Sequence, residues 1–159
     1  MEAAYTNDSP QVNFMPPRMF LICLAGGVAL TLLLPWHIPV FTLAWRLILG
    51  LALAGAGFWF MMWGHGLFQK QGVEVPTNRP ASELVRQGAY QFSRNPMYVG
   101  FVALLLGIGL ALGSGWMMLS AAPMAVYLAT YVVPREEAYL ARTFGPVYGD
   151  YCQEVRRWL

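Results

Sequence analysis

Arg94, Asn95, Pro96, Met97 and Tyr98 stand where a polar stretch runs into an apolar one. A proline disfavours helical geometry in the residue before it, so Asn95 is placed as an N-cap. Pro96 then takes the first helical position, where its missing N–H does no harm. The amides of Met97 and Tyr98 are expected to point out of the positive helix end, beside the Arg94 guanidinium. Backbone N–H groups and a guanidinium together make an anion site. Further along, Arg135 precedes the pair Glu136-Glu137. Adjacent carboxylates at a helix start favour its dipole, and the same groups can hold a cation. An anion site next to a cation site, with Tyr90 and Tyr98 close by, suits a zwitterionic ligand with an aromatic portion.

Whether these groups meet depends on the elements that carry them. The chain has 159 residues, 57% hydrophobic and 11% charged. Soluble domains carry about a quarter charged residues, so the chain reads as an all-α, polytopic integral membrane protein. Four apolar segments, 17–36, 40–63, 98–114 and 116–133, approach the roughly 20 residues that cross a bilayer core. The third is short. Only Gly113-Ser114-Gly115 separates the last two, which predicts a tight helical hairpin. Both polar junctions then emerge on one membrane face, bringing Arg94 near Glu136.

Lys70, Arg79, Arg86 and Arg94 lie between segments two and three, and Arg135, Arg142, Arg156 and Arg157 follow segment four. The connections 35–39 and 113–115 hold no Lys or Arg. The positive-inside rule therefore places both termini, 64–97 and 134–159 in the cytoplasm. The polar N-terminus lacks the basic n-region of a cleaved signal, so the first segment is expected to be retained. Arg46 lies within segment two, where snorkelling to the interface is the simplest reading. Trp36, Trp63 and Trp116 at segment ends suit the headgroup level, and the intrahelical glycines suit close helix packing. The stretch 64–95 is broken by Gly72, Pro76, Pro80 and Gly88 and reads as a loop. The tail 134–159 reads as two short helices divided at Gly145-Pro146. The whole forms one domain, 1–159.

Other chemistries find little support. Cys23 and Cys152 have no partner at metal-ligand spacing, and neither has His37 or His65, so no metal site is expected. The net charge of +2 and the lack of a basic patch give no reason to expect nucleic acid. No nucleophile elbow or phosphate-binding glycine loop is present.

Two strings remain. One is Leu84-Val85-x-x-Gly88-x-Tyr90-x-x-x-Arg94-Asn95-Pro96-x-Tyr98-x-Gly100. The other is Glu136-Glu137-x-x-Leu140-x-x-x-Phe144-Gly145-x-x-Tyr148-x-x-Tyr151 and onward to Arg157-Trp158. Together they resemble the isoprenylcysteine carboxyl methyltransferase and phospholipid methyltransferase superfamily, over roughly the last 90 residues. The resemblance implies a membrane methyltransferase that uses S-adenosyl-L-methionine, bound between the loop before the third helix and the C-terminal helices. It implicates Ser82, Glu83, Leu84, Val85, Gly88, Tyr90, Arg94, Asn95, Pro96, Met97, Tyr98, Gly100 and Glu136 in cofactor binding. Arg94, Glu136 and Glu137 are the expected catalytic groups. The implied partner is a membrane lipid or small lipophilic acceptor entering from the bilayer, and the implied location is the bacterial inner membrane. Prenylcysteine enzymes carry a substrate-binding arginine one turn before the first glutamate, where this chain has Val132, so the acceptor stays open. An NADPH-dependent isoprenoid or sterol reductase is the competing enzyme class, and a non-catalytic membrane subunit is the third reading.

Overall fold

The computed structural model describes residues 9–39, 41–70 and 83–159, with the side chains of 68–70 left aside. Among the described residues every regular element is a helix, with no strand. Helix α1 is Pro16–Leu33, α2 is Leu43–Lys70 and α3 is Pro96–Leu112. A single 3-10 turn, Gly88–Gln91, precedes α3. The remaining helices are α4 (Gly115–Leu119), α5 (Ala121–Tyr127), α6 (Val133–Phe144) and α7 (Pro146–Glu154).

Three helical runs are long and apolar enough to cross a membrane, and α3 is a shorter apolar helix. Only 17% of the most apolar window of α1 and 22% of that of α2 are buried. Leu21, Ile22, Leu32, Leu33, Leu51, Phe58 and Trp59 lie exposed. Surfaces of this size demand an apolar solvent, and lipid provides it.

Helix α2 packs chiefly on α3, and α1 packs on α4 and α5. The α2–α3 contact is made by small residues. A Cβ on Gly50 would fall 2.7 Å from the Gly107 carbonyl, and one on Gly107 would fall 2.4 Å from the Ala54 amide. Nearer the other end, a Cβ on Gly100 would lie 2.6 Å from the Gly57 carbonyl. In lipid, such close approach supplies the dispersion that water would otherwise drive by exclusion. Gly26 and Gly55 face open space, so only some of the helix glycines serve packing between helices.

The expected hairpin is present. Gly113 has φ +62° and ends α3 in the left-handed conformation, which glycine adopts without steric cost. Ser114 then caps α4, its Oγ accepting from the Met117 amide at 3.2 Å. The preceding connection pairs with this turn, since Ile38 N donates to Gly113 O and Gly115 N to Trp36 O. The Arg46 guanidinium packs against Gly113, at the negative end of the α3 dipole. Because α2 begins at Leu43, Arg46 lies in its first turn, shallower than the segment boundary at 40 implied; residue 40 itself is outside the described set.

Two boundaries differ from the sequence reading. Helix α2 continues seven residues past Trp63 to Lys70, so the loop expected from residue 64 starts later. The fourth helix does not end at residue 133, and 134–144 is not a separate helix. A continuous 30-residue run, Gly115–Phe144, carries straight through Pro134. A π turn, Leu128–Val132, makes this possible, with the Val133 amide bonding Leu128 O. The widened turn relieves the clash between a proline ring and the carbonyl four residues back.

Replacing Gly107 with leucine should disrupt the α2–α3 contact, costing upwards of about 1–3 kcal/mol by overpacking. Gly26→Ala, facing open space, should be neutral or slightly stabilising. Thermal melts of both variants in detergent check the contrast.

Candidate functional site

The N-terminus of α3 and the start of α6 lie at the end of the bundle away from the Gly113 turn. There Tyr98, in the first turn of α3, donates from its hydroxyl to Glu136 Oε1 at 2.6 Å. The sequence motifs led one to expect Arg94 beside Glu136; here Tyr98 holds Glu136, and Arg94 pairs with Glu137 instead. Tyr98 is buried at 7% exposure, so the carboxylate is held by a donor that water cannot readily replace.

Arg94 is spoken for in greater detail than the sequence suggested. Its Nη2 donates to Glu137 Oε1 at 2.9 Å, and its Nη1 to the carbonyls of Cys152 at 3.1 Å and Val155 at 3.4 Å. Those carbonyls belong to the end of α7, so the guanidinium also caps that helix. Glu137 is gripped from the other side by Arg157, whose Nε donates to Oε1 at 3.0 Å and whose Nη2 donates to Oε2 at 2.7 Å. The bond to Glu137 holds the Arg157 guanidinium protonated even more firmly than usual. The Nε of Arg94 is buried and has no hydrogen-bond partner among the described residues.

Asn95 occupies the N-cap position with Pro96 as the first helical residue, but its side chain makes no capping bond. It instead donates from Nδ2 to Arg157 O at 2.9 Å. Its carbonyl accepts from the amides of Tyr98 and Val99, both at 3.1 Å, which takes the Tyr98 amide out of the expected anion site. Arg94 N donates to Arg156 O at 3.0 Å. The junction before α3 therefore binds the C-terminal tail along three successive residues, since Ser93 Oγ also reaches Arg157 O at 3.5 Å.

These contacts frame one cavity of about 730 Å³, counted out to its open mouth. Of the sequence-predicted residues, Glu83, Leu84, Val85, Tyr90, Arg94, Asn95, Met97, Tyr98, Glu136 and Glu137 line it. Three others do not. Gly88, at φ +58°, turns the chain against Trp63 and Leu67; Pro96 packs on Gly64; Gly100 packs on Met61 and Gly57. Ser82 lies outside the described residues, as do Arg79 and the rest of 71–82.

Tyr139, Leu140, Tyr148, Tyr151 and Pro10 complete the lining. The shared helix face of Tyr148 and Tyr151 was visible in their spacing, but nothing near Pro10 signalled a role. Tyr151 donates to Tyr90 O at 2.7 Å. Burial pushes the phenols of Tyr90, Tyr148 and Tyr151 well above their ordinary value, and nearby carboxylates add to this for Tyr90 and Tyr148. The aromatic wall is therefore neutral over the whole physiological range. Among the described residues no group of His, Cys, Asp and Glu could hold a metal ion.

A family profile described as phospholipid methyltransferase matches residues 45–147. An uncharacterized protein of Haemophilus influenzae is 36% identical over 63 residues, which is 40% of this chain and 100% of that protein. No solved structure matches.

Two outcomes test this geometry. Glu137→Ala leaves Arg94 and Arg157 without their shared carboxylate and should destabilise the protein by about 1–3 kcal/mol. Arg157→Ala, at a half-exposed position, should cost under about 1 kcal/mol. Denaturant melts, with proteolysis of the C-terminal tail as a second readout, separate the two. Raised phenol pKa values stabilise the fold fully below the unfolded value near 10 and less as pH climbs through the folded values. Tyrosinate absorbance should thus lag in folded protein above about pH 10, and melting temperature should fall over the same range.

Proposed function

The chain belongs to the phospholipid methyltransferase family, a family of membrane methyltransferases, and from that premise we propose that it transfers a methyl group from S-adenosyl-L-methionine to a lipophilic acceptor. The observation that carries this reading is the cavity where the α3 junction, the α6 carboxylates and the α7 tyrosines converge.

The donor set fits the cofactor. Leu84 and Val85 offer an apolar wall for a flat base. The buried, unpartnered Nε of Arg94 suits a carboxylate, and Glu136 suits an ammonium or hydroxyl group. When bound, the cofactor supplies a methyl group made electrophilic by its sulfonium. The chain's part is then alignment and shelter. Holding acceptor and methyl in line is worth several kcal/mol, of the roughly 7–11 available from proximity. Neutral tyrosine faces stabilise a neighbouring cation without competing for protons.

Glu136 and Glu137 divide the remaining work. Glu137 already binds two guanidiniums, which makes it a positioning residue. Glu136, held by Tyr98, is the candidate to take a proton from an amine or thiol acceptor. Val132 is 0% exposed within the apolar core, which leaves no cation one turn before Glu136 for an acceptor carboxylate. An amine of a membrane lipid or a small thiol is therefore favoured over an isoprenylcysteine carboxylate. We place the cavity on the cytoplasmic side of a bacterial inner membrane, following the distribution of arginines.

Purified protein should bind labelled S-adenosyl-L-methionine, and Glu136→Ala or Arg94→Ala should weaken binding at least about tenfold, or 1.4 kcal/mol. Incubation with extracted lipids and thiols should then yield a labelled product identifiable by mass spectrometry. Displacement of the label by NADPH would favour a reductase instead. Affinity unchanged in both variants would sink the site assignment.

A further inference from the structure

One wall of the cavity has no part in the chemistry above. Pro10 lines it from the segment ahead of α1 and is itself buried. Val12 is 0% exposed and joins the core cluster that contains Tyr98, Leu128 and Val132. Between them, Gln11 has φ +53° and is the one non-glycine residue with positive φ among the described residues. Such a conformation persists only where its surroundings over-determine it, and it clusters at sites that hold ligands. Here the buried neighbours on either side do so. Downstream, the Phe14 carbonyl accepts from the Tyr127 hydroxyl, and the two rings meet edge to face at 6.1 Å. The segment 10–15 is thus a strap fastened across the α5 helix and the π turn.

Its chemistry and its origin both bear on its role. The family match starts at residue 45, so the strap lies outside the shared region. The groups assigned to the cofactor, Leu84, Val85, Arg94, Tyr98 and Glu136, all lie within it. The proline ring adds neither donor nor charge to the cavity, so it selects by shape alone. The strap itself is tied through Phe14 to Tyr127, in a helical run long and apolar enough to cross a membrane. We propose that the strap is the acceptor-side wall, limiting the acceptor's width beside its reacting atom. A straight chain is admitted, and one branched next to the nucleophile is rejected. This rests on the methyl-transfer reading for the identity of the acceptor side, though not for the existence of the wall.

The test uses the full chain in lipid nanodiscs with pairs of alkyl thiols of equal carbon number, straight or branched at the carbon bearing sulfur. With labelled S-adenosyl-L-methionine, wild-type protein should prefer the straight thiol by about tenfold or more, as shape selection by one or two carbons allows. Pro10→Ala and, separately, Val12→Ala should each reduce that ratio several-fold while cofactor affinity stays within about twofold. Thermal shifts produced by the same thiols without cofactor give a second reading that needs no methyl transfer. Only variants that remain monodisperse by size-exclusion chromatography are compared. An unchanged ratio and unchanged thermal-shift preference in the folded variants overturn the wall. So does a loss of cofactor affinity at an unchanged ratio. If wild-type protein binds no cofactor yet its thermal-shift preference depends on Pro10, the wall stands and the methyl-transfer reading fails.

Discussion

The carboxylate of Glu137, shared between Arg94 and Arg157, is the contact on which this end of the molecule depends. It joins the mouth of α3, the start of α6 and the C-terminal tail, which are separated by tens of residues in sequence. An arginine at a helix mouth beside an apolar bilayer is costly unless its donors are met. Here five hydrogen bonds meet them for Arg94 and Arg157 together, three to the Glu137 carboxylate and two to carbonyls, with the Nε of Arg94 left. The wall carrying Tyr148 and Tyr151 is held against the cavity through the same contact.

The rest of the bundle follows from solvation by lipid. Apolar surface gains nothing by hiding from hydrocarbon, so close packing must come from shape. Gly50, Gly57, Gly100 and Gly107 let α2 and α3 approach to backbone contact, which fixes the position of α3 and therefore of Arg94 and Tyr98. The fourth helix has a different problem. Pro134 falls just before the two glutamates, where a break would release them from the hairpin. The π turn absorbs the proline and keeps Glu136 on a helix whose other end is anchored at Ser114. The rotational setting of both carboxylates depends on that one widened turn.

Much of this was legible in residue types and spacing. The apolar blocks announced the helices because a bilayer permits few alternatives. Gly113-Ser114-Gly115 announced the hairpin, and the hairpin announced that Arg94 and Glu136 would share a face. Helix ends were less legible at residues 64 and 134, where local signals for breaking were overridden by packing and by a π turn. The Tyr98 amide was not legible as it stands, because it turns back to Asn95, and Asn95 binds the tail rather than its own helix. Gly88, Pro96 and Gly100 stand inside a motif that reads as one site, yet their neighbours are helices rather than the cavity.

The sequence by itself determined the membrane class, the hairpin and the pool of polar residues at its open end, because hydropathy and turn chemistry act over a few neighbouring residues. Only the tertiary structure decided which guanidinium meets which carboxylate, and that Glu137 rather than Glu136 is the shared partner. It alone brought Pro10 and Tyr151 to the cavity, from segments near the two ends of the chain. Partner choice of that kind depends on helix rotation and on the path of the termini, which are set by packing summed over the whole bundle and leave no local mark in the chain.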